Sequence, residues 1–229
     1  MSKFIETRIA GIELMLLGDR GVYWDAHRTL FIADTHFGKE ATFRRNGMPV
    51  PRGSTVGTLK TICRMMDRTE SERLVILGDM FHARSSLSPD VCESVEALFS
   101  RYPKVEFTLV PGNHDAHVGH LPQRWPIDVI ESGKIIDGIS LAHHPGEKPS
   151  TAKLMMCGHL HPAVRFESDT DRLGKLPCFW LSKGCLVLPA VGEFTGTHRV
   201  HPKPEDQTWL VLEDELLEYR QRPNAKRSR

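Results

Sequence analysis

The sequence predicts an α/β fold in which two packed β-sheets are flanked by helices, as a single domain over residues 1–220 with a basic, disordered tail at 221–229. Three observations predict it. Helical and strand patterns alternate through the first half of the chain, and the second half is mostly short strands with tight turns. No internal repeat or Gly/Ser-rich linker divides the 229 residues. A chain of this length can bury roughly 70% of its unfolded surface without a disulfide or structural metal.

In chain order, β-rich runs open at Glu13–Leu17, Val22–Trp24 and Thr29–Ala33, the first two joined by the turn Gly18-Asp19-Arg20-Gly21. A basic loop containing Gly and Pro is expected from Phe37 to Gly53. Ser54 is expected to cap a helix reaching about Asp67, because Leu59, Ile62, Cys63 and Met66 recur at helical spacing. Arg73–Leu77 reads as a strand buried on both faces. Ser88-Pro89 supplies the cap and first-turn proline of a helix to about Tyr102. Further strands are expected at Val105–Val110, Val129–Glu131, Lys134–Ala142, Lys153–Met156, Ala163–Glu167, Cys178–Leu181, Cys185–Ala190 and Thr208–Leu212.

Composition narrows the function. Thirty Lys+Arg against 29 Asp+Glu leave a net charge of +1, which excludes a bulk polycation that grips DNA everywhere but allows a local basic groove. Five cysteines without a C-x-x-C pair argue against a disulfide scaffold or zinc ribbon and fit a reducing cytosol. The N-terminus lacks a signal-peptide h-region, and no apolar run approaches the ~20 residues that span a bilayer. A cytoplasmic protein with no membrane partner is expected. The twelve histidines are the exceptional count.

Polar residues fall where expected strands end. Thr29–Ala33 runs into Asp34-Thr-His36, Leu74–Leu77 into Gly78-Asp79, and Val105–Val110 into Pro111-Gly-Asn-His-Asp115. Ile139–Ala142 runs into His143-His144, and Leu154–Cys157 into Gly158-His-Leu-His161. Ligands bind at the carboxyl edge of α/β sheets. The glycines before Asp79, Asn113 and His159 permit sharp turns and close backbone approach. Carboxylate, imidazole and amide oxygen suit divalent Mn, Fe or Zn. Asp34, His36, Asp79, Asn113, His143, His159 and His161 together supply enough donors for two metals sharing a carboxylate. Each motif alone is ordinary turn chemistry. All five, in order and each at a strand end, are not.

These five motifs resemble the complete signature of calcineurin-like metallophosphoesterases, over nearly the whole chain. Ala33 to Gly53, His143-His-Pro145 and Leu188 to Gly196 are similar to segments of the ligase-associated DNA-damage-response endonuclease (PdeM-type) subfamily. The resemblance implies that Asp34, His36 and His161 hold one metal, that Asn113, His143 and His159 hold the other, and that Asp79 bridges them. It implies that His114 stabilises the developing charge and protonates the leaving alkoxide. Asp115 then reads as the acceptor that orients His114, with a helix N-cap as the alternative. Of the adjacent His143 and His144, His143 is taken as the ligand because it comes directly off its strand. His82 resembles a substrate-positioning histidine of double-strand-break repair nucleases in the same superfamily, against the alternative of a solvent-facing imidazole. Lys39, Arg44, Arg45 and Arg52, interleaved with Phe37 and Phe43, suit a nucleic-acid backbone and splayed bases.

The expected activity is therefore a binuclear metal-dependent phosphodiesterase, a DNA endonuclease acting in repair with a DNA ligase and associated repair proteins. Two divalent ions are expected, Mn2+ first, with Fe2+ or Zn2+ as alternatives. A homodimer through edge strands is compatible with the sequence. Two rival readings stand beside it: a small-molecule phosphodiesterase or phosphomonoesterase, and a non-catalytic protein-binding scaffold on the same fold.

Overall fold

The computed structural model describes residues 1–45, 47–50, 53–167 and 172–220. Its first sheet places seven strands side by side in chain order: β1 (Phe4–Ile9), β2 (Ile12–Leu17), β3 (Val22–Trp24), β4 (Thr29–Ile32), β5 (Arg73–Leu77), β6 (Glu106–Val110) and β7 (Ile127–Val129). β1 to β4 pair antiparallel, and β4 to β7 pair parallel. Parallel neighbours need a crossover. Among the described residues the α-helices are α1 (Lys39–Arg45), α2 (Ser54–Thr69) and α3 (Pro89–Arg101). The first two lie between β4 and β5, and α3 lies between β5 and β6.

The second sheet holds β8 (Lys134–Ile136), β9 (Ile139–Leu141), β10 (Leu154–Cys157), β11 (Pro162–Glu167), β12 (Arg172–Ser182), β13 (Cys185–Val187), β14 (His198–Arg199), β15 (Gln207–Leu212) and β16 (Glu215–Tyr219). Its order is β14-β11-β12-β13-β10-β9-β8, with β15 joining β12 to β16. At its centre β10 runs parallel to both β9 and β13.

One apolar core lies between the sheets. Leu14, Leu16, Val22, Phe31, Val75 and Val110 meet Leu141, Leu154, Met156, Phe179, Leu186 and Trp209, all buried. A second core packs the other face of the first sheet against α2 and α3 through Leu30, Ile32, Leu74, Ile76, Ile62, Met65, Met66, Val95 and Leu98. Helix α2 turns Leu59, Ile62, Met65 and Met66 inward, the period-3.6 stripe that made it legible. Smaller clusters cover the outer face of the second sheet, including Met155, Cys157, Cys185 and Val187. Helices α2 and α3 therefore flank the outer face of the first sheet.

Several elements depart from expectation. Residues 39–45 form a helix where the sequence suggested a loop. The flanking Gly38, Gly47 and Pro49 hid a run of good helix formers, and buried Glu40 fastens the helix by accepting hydrogen bonds from Thr55 N (3.3 Å) and Oγ1 (3.0 Å). Gly53, not Ser54, occupies the cap of α2, and Ser54 is its first helical residue. The single strand expected over Lys134–Ala142 is a hairpin folded at Asp137 and Gly138, both with positive φ. β7 starts two residues before the expected Val129, β13 ends at Val187 rather than Ala190, and β1, β14 and β16 were not anticipated. β1 alternates exposed with partly buried residues at the sheet margin, so its apolar signal is weak. Arg52 and the tail at 221–229 lie outside the described residues. Among the described residues, no helix is long and apolar enough to cross a membrane.

Candidate metal centre

The topology brings the carboxyl ends of β4, β5 and β6 beside those of β9 and β10. The chain must turn sharply after each strand, and it does so with unusual backbone. Asp34 (φ 56°), His36 (45°), Asp79 (50°), His159 (69°) and His161 (47°) all lie in the left-handed region. Asp and His tolerate it better than most side chains, yet each such residue costs on the order of 1 kcal/mol and persists only where its surroundings over-determine it. Here they do. Asp34 N donates to Gly78 O (3.1 Å), His36 N to Asp79 O (2.9 Å) and Gly158 N to His143 O (3.1 Å), lacing the loops together.

Glycine makes the approach close enough. A Cβ on Gly158 would sit 2.5 Å from Asp34 Oδ2 and 2.7 Å from Ala33 Cβ. A Cβ on Gly78 would overlap the His143 ring, and one on Gly112 the Asp79 carboxylate. The three glycines are spacers between proposed ligands.

The cluster is a focus of lone pairs. His143 Nδ1 lies 3.0 Å from Leu77 O, and His161 Nδ1 lies 2.9 Å from Gly196 O. A carbonyl oxygen only accepts, so both Nδ1 atoms carry the proton and both Nε2 atoms present lone pairs. His143 Nε2 then faces Asn113 Oδ1 at 3.0 Å, His159 Nδ1 at 3.2 Å and Asp79 Oδ1 at 3.5 Å. His161 Nε2 faces His36 Nε2 at 3.4 Å and Asp34 Oδ1 at 3.5 Å, and His36 Nε2 is 3.8 Å from Asp79 Oδ2. Asp34, His36, Asp79 and His143 are buried. Buried acceptors pointed at one another are unfavourable unless a ring proton or a metal cation lies among them. The donor set fits two divalent ions: Asp34, His36 and His161 in one group, and Asn113, His143 and His159 in the other, with Asp79 touching both.

Ionisation favours ligation at His36 and His159 and opposes it at His161. Burial, assisted by the charge of Lys39, holds the His36 imidazole down to about 2, so it is neutral in ordinary buffers and free to coordinate. Burial likewise lowers His159, with His144 and His143 adding to it. Burial works against protonation of His161, but the hydrogen bond and charge of Asp34 raise it overall.

His114 stands beside this cluster. Its backbone N donates to Asp79 Oδ1 at 2.8 Å, and its Nε2 is 4.0 Å from Asp79 Oδ2. Its Nδ1 lies 2.8 Å from His82 O, so the backbone of residue 82, not Asp115, orients the imidazole. Asp115 instead accepts from Phe81 N (3.1 Å) and Gly112 N (2.9 Å), pinning the Gly112–His114 turn from beneath. A short carboxylate follows the backbone amides of its own turn more readily than a ring that points away. The His82 ring stacks on His114 at 4.7 Å and 27°, and burial lowers it to about 4. It is half-buried at the cluster, not a free surface group. His143 is fully buried with its Nε2 in the donor set, whereas His144 is exposed and packs its ring 4.2 Å from His159.

The basic segment divides once folded. Phe37 is buried and packs edge-on against Phe81 at 5.9 Å, so it belongs to the core and offers no face to a base. Phe43 is half-buried, 6.0 Å from His82. Arg44 is half-buried and its charge acts on Asp90 of α3, while Arg45 is exposed at the end of α1. The cation whose charge reaches the cluster is Lys39, in the first turn of α1, which acts on both His36 and His82. Burial lowers its ammonium against the opposing pull of Asp79 and Asp34, and its Nζ is 5.8 Å from the Phe43 ring. Only the helical course of 39–45 separates Lys39 from the arginines, a distinction invisible while the segment reads as a loop.

Strand-end donors converging on two cation positions at the edge of a two-sheet sandwich define a binuclear metallophosphoesterase site. The chain belongs to the calcineurin-like phosphoesterase family, whose model matches residues 27–214. Among solved structures, it is similar to the nuclease MPE of Pseudomonas putida, with 32% identity, 91% of this chain and 96% of that chain covered, and a TM-score of 0.80. A phosphoesterase, YfcE, from E. coli also matches, at 16% identity, 82% and 90% coverage and a TM-score of 0.37. No curated protein matches the chain.

Proposed function

We propose that this protein is a phosphodiester hydrolase acting on DNA, an endonuclease that works in repair alongside a ligase, with residues 1–220 as one domain. The observation that carries the hydrolase reading is the lone-pair focus built by five strand ends. The nuclease step draws support from the similarity to the Pseudomonas nuclease. The repair and ligase assignment rests on the resemblance of residues 33–53 and 188–196 to the ligase-associated endonucleases.

In this reading Asp34, His36 and His161 hold one cation, Asn113, His143 and His159 the other, and Asp79 both, with Mn2+ the expected metal. Divalent cations bound there supply Lewis acidity toward a phosphoryl oxygen and acidify water. The chain supplies the rest. Leu77 O and Gly196 O fix the tautomers of His143 and His161 so that each offers a lone pair without rearrangement. His82 O holds the Nδ1 proton of His114, leaving Nε2 on the Asp79 side. As the doubly protonated imidazolium, His114 hands its Nε2 proton to the departing alkoxide and is left as the neutral Nδ1–H tautomer. Lys39 adds positive charge for the phosphate, and the His82 and Phe43 rings wall one side.

The test compares bis-p-nitrophenyl phosphate with p-nitrophenyl phosphate in Mn2+, followed by nicking of circular single- and double-stranded DNA. Diester turnover and nicking are expected. Cleavage of the monoester alone would refute the nuclease and point to the small-molecule phosphomonoesterase reading, and cleavage of neither would leave the scaffold reading standing.

A further inference from the structure

Phe194 combines three features that a passive surface residue does not need. Its ring is exposed, at 47% of its full accessibility. Its backbone is in the left-handed region (φ 58°), an outlier for a bulky side chain. And the loop that carries it is pinned on both sides to the ligand-bearing turns. Val191 N donates to Ala33 O (3.0 Å) and Gly192 N to Asp34 O (3.1 Å), while Gly192 packs so closely that a Cβ would lie 2.5 Å from Thr35 O. Glu193 N donates to Thr58 Oγ1 (3.0 Å), and Thr195 Oγ1 back to Gly192 O (2.7 Å). Two residues after Phe194, Gly196 O receives the His161 imidazole proton. The turn is thus locked between Asp34 and His161, both in the same proposed cation group, while the aromatic ring it presents packs into no core.

Backbone strain tends to be held at ligand-contacting turns, and here the strained residue leaves an aromatic ring in water beside the site. Bases of single-stranded nucleic acid stack on such faces irrespective of sequence, because every base has a π-face. We propose that Phe194 is a positioning residue that stacks on a nucleobase of a single-stranded or unpaired segment next to the phosphodiester being cut. This rests on the nuclease reading. It adds an exposed aromatic ring, on the loop that holds His161, to the Phe43 and His82 rings grouped near His36.

Steady-state cleavage of an oligothymidylate and of a same-length strand of abasic (tetrahydrofuran) residues, by the wild type, Phe194→Ala, Phe194→Gly and Phe194→Tyr in Mn2+, tests it. Phe194→Ala should raise KM for the thymidine strand roughly 5- to 150-fold, the span expected for one lost base–aromatic stack, with a smaller change in kcat. Phe194→Gly, which removes the ring and relieves the strained φ, should show the same rise, and Phe194→Tyr should restore KM. On the abasic strand the wild-type and alanine proteins should differ by no more than about twofold, since there is no base to stack. Elemental analysis should find two metals per chain in every variant. An unchanged KM on the thymidine strand, or an equal loss on the abasic one, overturns the assignment while leaving the nuclease intact. A wild type that hydrolyses bis-p-nitrophenyl phosphate but no DNA overturns the nuclease reading, and this assignment with it.

Discussion

Gly158→Ala is a sharp probe of how the centre is built, because the substitution is chemically minimal and its φ is not in the region reserved for glycine. The added methyl would sit 2.5 Å from Asp34 Oδ2, 2.7 Å from Ala33 Cβ and 3.0 Å from Leu77 O. Ordinary contact begins at 3.4 Å, so the Asp34 carboxylate and the His159 turn must separate by about 0.9 Å. Neither yields cheaply. Asp34 is wholly buried, its Oδ2 accepts His159 N at 2.9 Å, and the other two obstacles are core and backbone. A misplacement near 1 Å at a reacting centre costs on the order of 100-fold in rate, or about 2.7 kcal/mol of transition-state stabilisation. Overpacking adds ~1–3 kcal/mol of destabilisation, lowering Tm by roughly 2–4 °C for each kcal/mol in a domain of this size. The assay is kcat/KM on bis-p-nitrophenyl phosphate, with elemental analysis and a melting curve for each protein. Gly146→Ala, whose methyl would meet only Met155 Cε at 3.9 Å, serves as control and should behave as wild type. A Gly158→Ala protein that keeps two metals and turns over within about threefold of wild type would show that the spacing of Asp34 from the His159 turn does not matter, and the geometric argument would fail.

His114→Ala should retain both metals and lose ~10²–10⁴-fold in kcat, with a smaller loss for a p-nitrophenolate leaving group than for a DNA alkoxide; equal losses on both would remove the acid role. Asp79→Ala, which deletes the carboxylate shared by both donor groups, should bind fewer than two metals by elemental analysis, and full occupancy would contradict the bridging assignment. Chelation should abolish hydrolysis and lower Tm, both reversed by added Mn2+, since an ion that binds only the folded chain stabilises it; a chelator-resistant diesterase would contradict the metal reading. Glu40→Ala leaves Thr55 N and Oγ1 without their buried acceptor and should cost about 1–3 kcal/mol, read as a fall in denaturation midpoint; no change would mean that Glu40 does not fasten α1 to α2.

The sequence was enough to mark the candidate ligands, because strand ends in a parallel sheet share an edge where ligands bind. Asp34, His36, Asp79, Asn113, His143, His159 and His161 each follow a continuous apolar run, and that local signal survives without knowing the partners. α2 was equally legible through its inward stripe of Leu59, Ile62 and Met66. What no single segment encodes is who touches whom across the chain. That His114 leans on the carbonyl of residue 82 rather than on Asp115, that Lys39 feels the charge of Asp79 and Asp34 while the charge of Arg44 acts on Asp90, and that Phe37 is core while Phe194 is not all depend on contacts between residues tens of positions apart. Backbone carbonyls such as Leu77, His82 and Gly196 are identical in every residue type, so their role in fixing imidazole tautomers is decided by packing alone. Side-chain chemistry is written in the order of residues; its orientation is set only when distant strands close around it.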